Sequence, residues 1–163
     1  MMTLDGNSFY CQIILPQPTF YIIRTGADAR PLAQFACQAG YAIHLLDWRQ
    51  SLCNARHFPM ADSFLIGDIG FLIAEIQFSP LDSVVIMTLD YQLDVRILQQ
   101  FQNIQVLYPG FLGSKRRTER LLGGAIPAWI HSPVGLSIGA DGPEEIAVSI
   151  VVELIAVRRG KLT

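Results

Sequence analysis

Short apolar runs of strand type alternate with helical patterns along this chain, and that alternation constrains the fold more than any other feature. The predicted strands cover residues 20–23, 42–46, 62–66, 83–88 and 104–108. The predicted helical segments cover residues 29–38, 68–76, 90–101, 115–122 and 143–157, the second of them being either a brief helix or a turn. Strands that alternate with helices build a parallel sheet covered on both faces. The sequence therefore predicts an α/β fold, a three-layer Rossmann-like domain with a mostly parallel sheet flanked by helices.

The chain has 163 residues, the size of one domain, and its composition supplies a sizeable core. Hydrophobic residues make up 51% and charged residues only 16%, which excludes a disordered chain. Pro16 and Pro18 close the N-terminal stretch, because proline stops regular strand pairing. We therefore expect an N-terminal arm over residues 1–19 and a Rossmann-like domain over residues 20–163.

Charge and cysteine usage narrow the class of protein further. The net charge of −2 argues against a general nucleic-acid binder. The three cysteines are far apart and lack C-x-x-C spacing, which predicts reduced thiols and no metal site. The first ten residues lack the pattern of a signal peptide, and the longest apolar run, 146–157, is too short to span a bilayer. We expect a cytoplasmic protein with no nucleic-acid or membrane partner.

The loop after the first predicted strand carries part of a dinucleotide-binding fingerprint. In the pattern G-x-G-x-x-G/A, Gly26 fills the second position and Ala29 the third, but Arg24 replaces the first glycine. Asp47 follows about 20 residues later, at the end of the second strand, where an acid bonds a ribose hydroxyl. Arg24 either crowds a pyrophosphate or contacts one. The alternative is a Rossmann scaffold that binds no dinucleotide.

A second loop, from Gly110 to Arg117, follows the predicted strand 104–108 and therefore lies at the carboxyl edge of the sheet. A glycine loop, a helix N-terminus and fixed positive charge together suit a phosphate-bearing ligand. Lys115, Arg116 and Arg117 are consecutive, so at most two of them reach one ligand from a helix. The alternative is a solvated helix start, in which these cations oppose the helix dipole.

One histidine, His131, stands in a loop before the last predicted helix. It either bonds a phosphate, serves as an acid–base group, or is a structural loop residue. The sequence contains no H-E-x-x-H pattern and no Ser-His-Asp or Cys-His set with a recognisable local motif. It therefore predicts no catalytic residue and no metal ligand, and a non-enzymatic role is favoured.

The final predicted helix, residues 143–157, is apolar over most of its surface. Glu145, Ser149 and Glu153 form one narrow polar stripe at i, i+4 spacing. A helix of this kind is buried on more than one side, either between the sheet and neighbouring loops or in a subunit interface. The second interpretation predicts a homodimer.

Taken together, these segments resemble the C-terminal Rossmann-like domain of the XdhC/CoxI family, the xanthine dehydrogenase accessory proteins, over residues 18–160. The most specific matches are the segments 112–122, 131–136, 143–147 and 156–160. Weaker matches are Gly26 with Asp28 and Ala29, Asp47 with Arg49, residues 58–62, and Met87-Thr88 with Asp94.

The resemblance implies a role in the maturation of molybdenum hydroxylases: binding the molybdenum cofactor, protecting its sulfurated form and delivering it to a client apo-enzyme. That cofactor is a pterin with a terminal phosphate, sometimes extended as a dinucleotide, and a cationic, glycine-lined edge suits it. The residues expected to contact the ligand are Gly26, Asp28, Asp47, Arg49, Gly113, Ser114, Lys115, Arg116 and His131.

The chain departs from the family pattern in three ways. The family usually has glycine where Arg24 stands, and histidine where Leu89 follows Met-Thr. We expect no counterpart of the family's separate N-terminal domain in these residues, since residues 1–19 resemble at most its tail. Two alternatives therefore stay open: an NAD(P)-binding oxidoreductase-like protein, and a dimeric scaffold that has lost ligand binding.

Overall fold

Five parallel strands form the central sheet in a computed structural model that describes residues 2–4, 7–9 and 16–162. Two short strands precede the sheet, β1 (Met2–Leu4) and β2 (Asn7–Phe9), and they pair antiparallel with each other. The sheet strands are β3 (Thr19–Ile23), β4 (Ala42–Asp47), β5 (Ser63–Ile66), β6 (Ser83–Ile86) and β7 (Tyr108–Phe111). The helices are α1 (Ala29–Gln38), α2 (Ile69–Glu75), α3 (Tyr91–Phe101), α4 (Lys115–Leu122) and α5 (Gly142–Arg158). The predicted arm over residues 1–19 falls in part outside the described residues, and its boundary stays a prediction.

The strand order across the sheet is β5-β4-β3-β6-β7, and every neighbouring pair is parallel. The chain runs outward from β3 through β4 to β5, then returns to place β6 on the other side of β3. The strand order therefore reverses between β3 and β6. Open α/β sheets bind ligands at this reversal, beyond the carboxyl ends of the strands. The predicted α/β, Rossmann-like fold is confirmed.

Alternate side chains of β3 enter two separate cores. Phe20 and Ile22 pack with residues of α1 and α5, whereas Ile23 packs with residues of α2 and α3. This division follows from the period of two in a strand, which sends successive side chains to opposite faces. Helices α1 and α5 cover one face of the sheet, and α2, α3 and α4 cover the other. The predicted three-layer arrangement is confirmed.

The last strand lies further along the chain than the sequence predicts. The prediction of a strand over 104–108 is wrong, because β7 consists of Tyr108–Phe111 and includes Pro109 and Gly110. The carbonyl of Pro109 accepts from His131 N at 3.0 Å, so Pro109 turns its backbone polar groups away from β6. Its missing N–H therefore costs the β6 ladder nothing, which is how an edge strand tolerates proline.

The final helix, α5, carries most of its polar stripe inward and part of its apolar surface outward. Ser149 is buried, and Glu153 accepts hydrogen bonds from Tyr108 and the Gly135 N–H. Val148 and Val152, in contrast, are 43% and 46% exposed. The helix packs against α1, a neighbour that neither interpretation names, and against the loop at Gly135 and Leu136. Neither α5 nor any other helix within the described ranges is long and apolar enough to cross a membrane.

Candidate functional site

The loops that follow β3, β4, β6 and β7 all emerge at the carboxyl edge of the sheet, because these strands are parallel. Neighbouring strands lie about 4.8 Å apart, so the loops after β3 and β7 leave the sheet roughly 10 Å apart with β6 between them. Gly26 lies in the first of these loops and Gly113 in the last. The two predicted glycine loops therefore flank the place where the strand order reverses.

At the end of β4, the carboxylate of Asp47 is completely buried and engaged by protein donors. Thr25 donates to it from its backbone N–H at 2.7 Å and from its hydroxyl at 2.8 Å. Arg49 donates from its backbone N–H and Nε, both at 2.9 Å, and from Nη2 at 2.7 Å. We call Asp47, Thr25 and Arg49 the Asp47 cluster.

The Asp47 cluster holds its carboxylate in the charged form. Burial alone would raise the pKa of Asp47, but hydrogen bonds from Arg49 and Thr25 outweigh burial and lower the pKa to about 2. A ribose hydroxyl would have to compete with these donors for the same oxygens. Asp47 and Arg49 stay predicted ligand residues, but their observed contacts tie the β4 corner to the loop after β3.

The turn after β3 is built around Arg24, which has a φ of 77°, in the left-handed region that favours glycine. Its backbone N–H donates to the carbonyl of Leu46 at 2.8 Å. Its guanidinium Nη1 donates to the carbonyl of Met87 at 3.3 Å. The side chain thus reaches from the end of β3 to the first residue beyond β6, across the reversal of strand order.

Beyond Arg24, the loop leads into α1 with exposed polar groups. In the described part of the chain, the backbone N–H groups of Gly26, Ala27 and Asp28 have no hydrogen-bond acceptor. Asp28 occupies the N-cap position of α1, and its side chain makes no capping bond. This loop therefore offers backbone donors at a helix N-terminus, an arrangement that suits an anion.

A buried acid also lies beneath the end of β6. Asp94 of α3 is completely buried and accepts from the hydroxyl of Thr88 and from Arg117 Nη2, the latter at 2.5 Å. Arg117 Nη1 also reaches the Thr88 carbonyl at 3.5 Å. Burial raises the pKa of Asp94, and the bonds from Thr88 and Arg117 offset this only in part. Arg117 is therefore paired within the protein.

The loop after β7 leaves two cations without such a partner. Ser114 caps α4, where its side chain accepts from the Arg117 N–H at 3.3 Å. Lys115 and Arg116 are exposed in the first turn, and no carboxylate among the described residues lies within 4.0 Å of either. A Cβ at Gly113 would lie 2.8 Å from the ring of Phe111, so close packing explains the glycine. We call residues 113–116 the basic loop.

His131 belongs to a different cluster, on the face of the sheet covered by α5. Its Nδ1 lies 2.9 Å from Glu153 Oε1, and its ring stacks on Tyr108 at 4.2 Å between centroids. Glu153 also accepts from the Tyr108 hydroxyl at 2.5 Å and from the Gly135 N–H at 2.6 Å. Burial would raise the pKa of Glu153, but these hydrogen bonds outweigh it and hold the pKa below its ordinary value.

The predicted ligand residues thus fall into three groups. Gly26, Asp28, Asp47 and Arg49 lie on the β3–β4 side of the carboxyl edge, residues 113–116 lie on the β7 side, and His131 lies in the α5 cluster. Sequence reasoning missed the pairing of Asp94 with Thr88 and Arg117. A signal for it was available, because Asp94 shares a helical face with Leu98 and Phe101, and an acid on an apolar face needs a buried partner.

These observations define the chain as a Rossmann-type α/β domain with a basic loop at the carboxyl edge of its sheet. The XdhC Rossmann domain model matches residues 20–154. The chain therefore belongs to the XdhC family, and the resemblance seen in the sequence is confirmed.

The relatives that match are longer proteins. The chain is 40% identical over 154 residues to a probable xanthine dehydrogenase subunit of Bacillus subtilis (strain 168), covering 94% of this chain and 47% of that protein. It is 30% identical over 152 residues to the uncharacterized protein YqeB of Escherichia coli (strain K12), covering 87% of this chain and 28% of that protein. The fold also matches the crystal structure of a xanthine dehydrogenase from Bacillus halodurans, with a TM-score of 0.85 and 40% sequence identity. The match covers 90% of this chain and 44% of that chain. The chain thus spans less than half the length of each of these relatives.

Proposed function

We propose that this protein is a cytoplasmic, non-enzymatic accessory factor for a molybdenum hydroxylase of the xanthine dehydrogenase type. It binds the molybdenum cofactor, or a related phosphorylated pterin or nucleotide, at the carboxyl edge and passes it to the client enzyme. Membership of the XdhC family and the xanthine dehydrogenase names of two relatives support this role.

The observation that carries the proposal is the unneutralised positive charge of the basic loop. Four charged side chains at this edge pair with one another within the protein: Arg49 with Asp47, and Arg117 with Asp94. Lys115 and Arg116 project from the first turn of α4, where positive charge opposes the helix dipole. Two cations kept at a position that is unfavourable for the fold are explained by an anionic ligand that binds between them.

Each group at the edge has a part in this proposal. Lys115 and Arg116 hold the terminal phosphate of the ligand, and the backbone N–H groups of Gly26 and Asp28 face it from the β3 side. Ser114 fixes the start of α4, and Asp47 with Arg49 fixes the opposite corner. When bound, the cofactor carries the molybdenum centre that the client uses, and the protein's own part is to bind, orient and release it.

The test is titration of the purified protein with molybdenum cofactor released from a molybdoenzyme, followed by gel filtration and transfer to a cofactor-free client. We expect the double variant K115Q/R116Q to lose at least about tenfold in affinity, since two charge-assisted contacts are removed. Arg56→Gln, which removes an exposed cation from the β4–β5 loop, should bind like the wild type. No retention by the native protein, alongside tight retention by a longer relative, would defeat the proposal.

We also propose that the protein forms a homodimer through α5. The support is the exposure of Val148 and Val152 on an otherwise packed helix. Two exposed valines one helical turn apart form the kind of apolar stripe that a second helix covers.

An NAD(P)-dependent oxidoreductase is the less well supported alternative. The strand order and the position of Gly26 favour it, because dinucleotides bind beside this reversal. The engagement of Asp47 by Thr25 and Arg49 argues against it. Titration with NAD(H) and NADP(H) discriminates: tight binding that is lost in Asp47→Asn would favour the oxidoreductase.

A further inference from the structure

Arg24 lies where a dinucleotide would have to pass. We propose that Arg24 is a specificity residue: it makes this edge select a ligand that ends in one phosphate and reject the dinucleotide form of the same ligand. This inference rests on the proposed function and names the form of the ligand that the edge accepts.

The first observation is the position of the guanidinium group. In a dinucleotide-binding loop, the first glycine permits the tight turn and the ligand lies across the crevice where the strand order reverses. Here that position is Arg24, and its side chain extends from β3 to the Met87 carbonyl beyond β6. A ligand that continues past Arg24 towards the β4 corner is obstructed by this side chain, whereas a ligand whose phosphate ends between Arg24 and residues 113–116 is not.

The second observation is independent of Arg24 and concerns the far side of the crevice. A dinucleotide gains affinity when its ribose bonds the acid at the end of the second strand. Asp47 stands there, but five donor groups from Thr25 and Arg49 already engage its carboxylate. The donors of Thr25 and Arg49 therefore occupy the acid that the added nucleoside would need, and Arg24 obstructs the path to it.

The third observation concerns the positively charged groups that are available to bind the phosphate of the ligand. The Met87 carbonyl engages one N–H of Arg24, and the guanidinium has further donors that can face a phosphate. A terminal phosphate concentrates roughly one and a half to two negative charges on a single phosphorus, whereas the pyrophosphate of a dinucleotide spreads about two over two phosphates. Arg24 on one side and the Lys115–Arg116 pair on the other match the more concentrated charge of the terminal phosphate.

The experiment compares two forms of released molybdenum cofactor, one ending in a single phosphate and one extended as a dinucleotide. Each is titrated against the wild type, Arg24→Gly and the matched control Arg56→Gln. Glycine accepts the φ of residue 24 without strain, so the Arg24→Gly variant should fold, and its circular dichroism melting curve checks this.

We expect the wild type and Arg56→Gln to prefer the single-phosphate form by about tenfold or more, the size of one charge-assisted contact. In Arg24→Gly the preference should shrink to about threefold or less, with the dinucleotide form binding more tightly than before. Equal affinity of the wild type for both forms, or an unchanged ratio in Arg24→Gly, overturns the assignment of Arg24 and leaves the accessory role intact. Failure of both forms to bind the wild type overturns the accessory role and the specificity together.

Discussion

The two corners of the carboxyl edge use similar charged residues in opposite ways. At the β4 corner, Arg49 and the donors of Thr25 surround a completely buried Asp47, and the charges of Asp47 and Arg49 pair with each other. At the β7 corner, Lys115 and Arg116 are exposed and have no carboxylate within reach among the described residues. The fold uses the charges of the first corner for its own stability, whereas those of the second remain available for another molecule.

This difference in pairing distinguishes charges that stabilise the fold from charges that are available to bind a ligand. Removing one member of a buried charge pair leaves the other without solvent or partner, which is costly. Removing an exposed cation from a helix N-terminus relieves a repulsion with the dipole. The same kind of substitution should therefore change the free energy of unfolding in opposite directions at the two corners.

The largest effect is expected for Asp47→Ala. The substitution leaves Arg49 and the Thr25 N–H without their acceptor, and we expect the free energy of unfolding to fall by about 3 kcal/mol or more. Urea denaturation measures the change, with Asp28→Ala as the exposed control that should shift stability by no more than about 0.5 kcal/mol. Wild-type stability in Asp47→Ala, combined with loss of ligand binding, would reverse the roles of the two corners.

Acid should erase the difference between Asp47→Ala and the wild type. The folded-state pKa of Asp47 is lowered to about 2 from an ordinary value of 3.8, so its carboxylate stabilises the fold above pH 3.8. That contribution is lost as the pH falls from 3.8 towards 2. The urea midpoints of the two proteins should therefore differ at neutral pH and approach each other near the lower end of this window.

A smaller loss is expected for Glu153→Gln, which tests whether the α5 cluster is structural like the Asp47 cluster. The glutamine amide has one acceptor oxygen where the carboxylate has two, so it cannot accept from His131, Tyr108 and the Gly135 N–H together. We expect the free energy of unfolding to fall by about 1–3 kcal/mol. Because the folded pKa of Glu153 is lowered, its contribution is present above its ordinary value of 4.5 and lost as the pH falls through the folded value.

Thermal and urea unfolding compare Glu153→Gln with Glu144→Gln, an exposed glutamate in the first turn of the same helix. The Glu144 variant should unfold close to the wild type. Equal stability of both variants would show that the cluster does not support the fold, and it would favour the prediction that His131 contacts a ligand.

The double variant K115Q/R116Q gives the contrast in sign. Neutralising two cations in the first turn of α4 should raise the free energy of unfolding by about 0.5 kcal/mol at low salt, while affinity for the ligand falls. The gain should shrink as salt is added, because surface electrostatics are screened. A loss of stability of 1 kcal/mol or more, roughly twice the change of an ordinary surface substitution, would mean that these cations serve the fold.

The smallest effect on stability is expected at Val152 on α5. Val152→Asp changes a half-exposed residue and should shift the free energy of unfolding by only about 0.5 kcal/mol. If α5 forms the dimer, the same substitution should halve the mass of the protein in solution. Val151→Asp is the matched contrast, because Val151 is 7% exposed and a charge there should unfold the chain. Sedimentation equilibrium decides: a wild-type monomer refutes the dimer.

The sequence was sufficient for the layers of this fold and for the two glycine loops at its carboxyl edge, but it grouped His131 with those loops, whereas His131 lies against Glu153 of α5. Period-two and helical patterns depend on local side chains, so α1 and α4 have the bounds that the sequence predicts. β7 was misplaced, because Pro109 and Gly110 interrupt strand patterns and their tolerance depends on the neighbouring segment at His131. Asp90 caps α3, where its side chain accepts from the Leu93 N–H at 3.0 Å.

The apolar helix face around Asp94 indicates that this acid needs a buried partner, but the identities of the partners of the charged groups could not be read from the sequence. Asp47 is the last residue of β4, whereas Thr25 lies in the loop after β3, so the fold alone brings them together. Asp94 contacts Arg117 only when α3 and α4 pack together. Spacing along the chain contains no record of such contacts. Arg24 was recognised as unusual, but whether it crowds or contacts a ligand depends on the direction of its side chain across the strand reversal.

The most direct test of the account is a crystal structure of the protein with molybdenum cofactor bound. We predict the terminal phosphate within hydrogen-bonding distance of Lys115 or Arg116 and of Arg24, with the Asp47–Arg49 pair still 2.7 Å apart. A ligand that displaces Arg49 from Asp47, or that binds away from residues 113–116, would contradict the division of roles between the two corners.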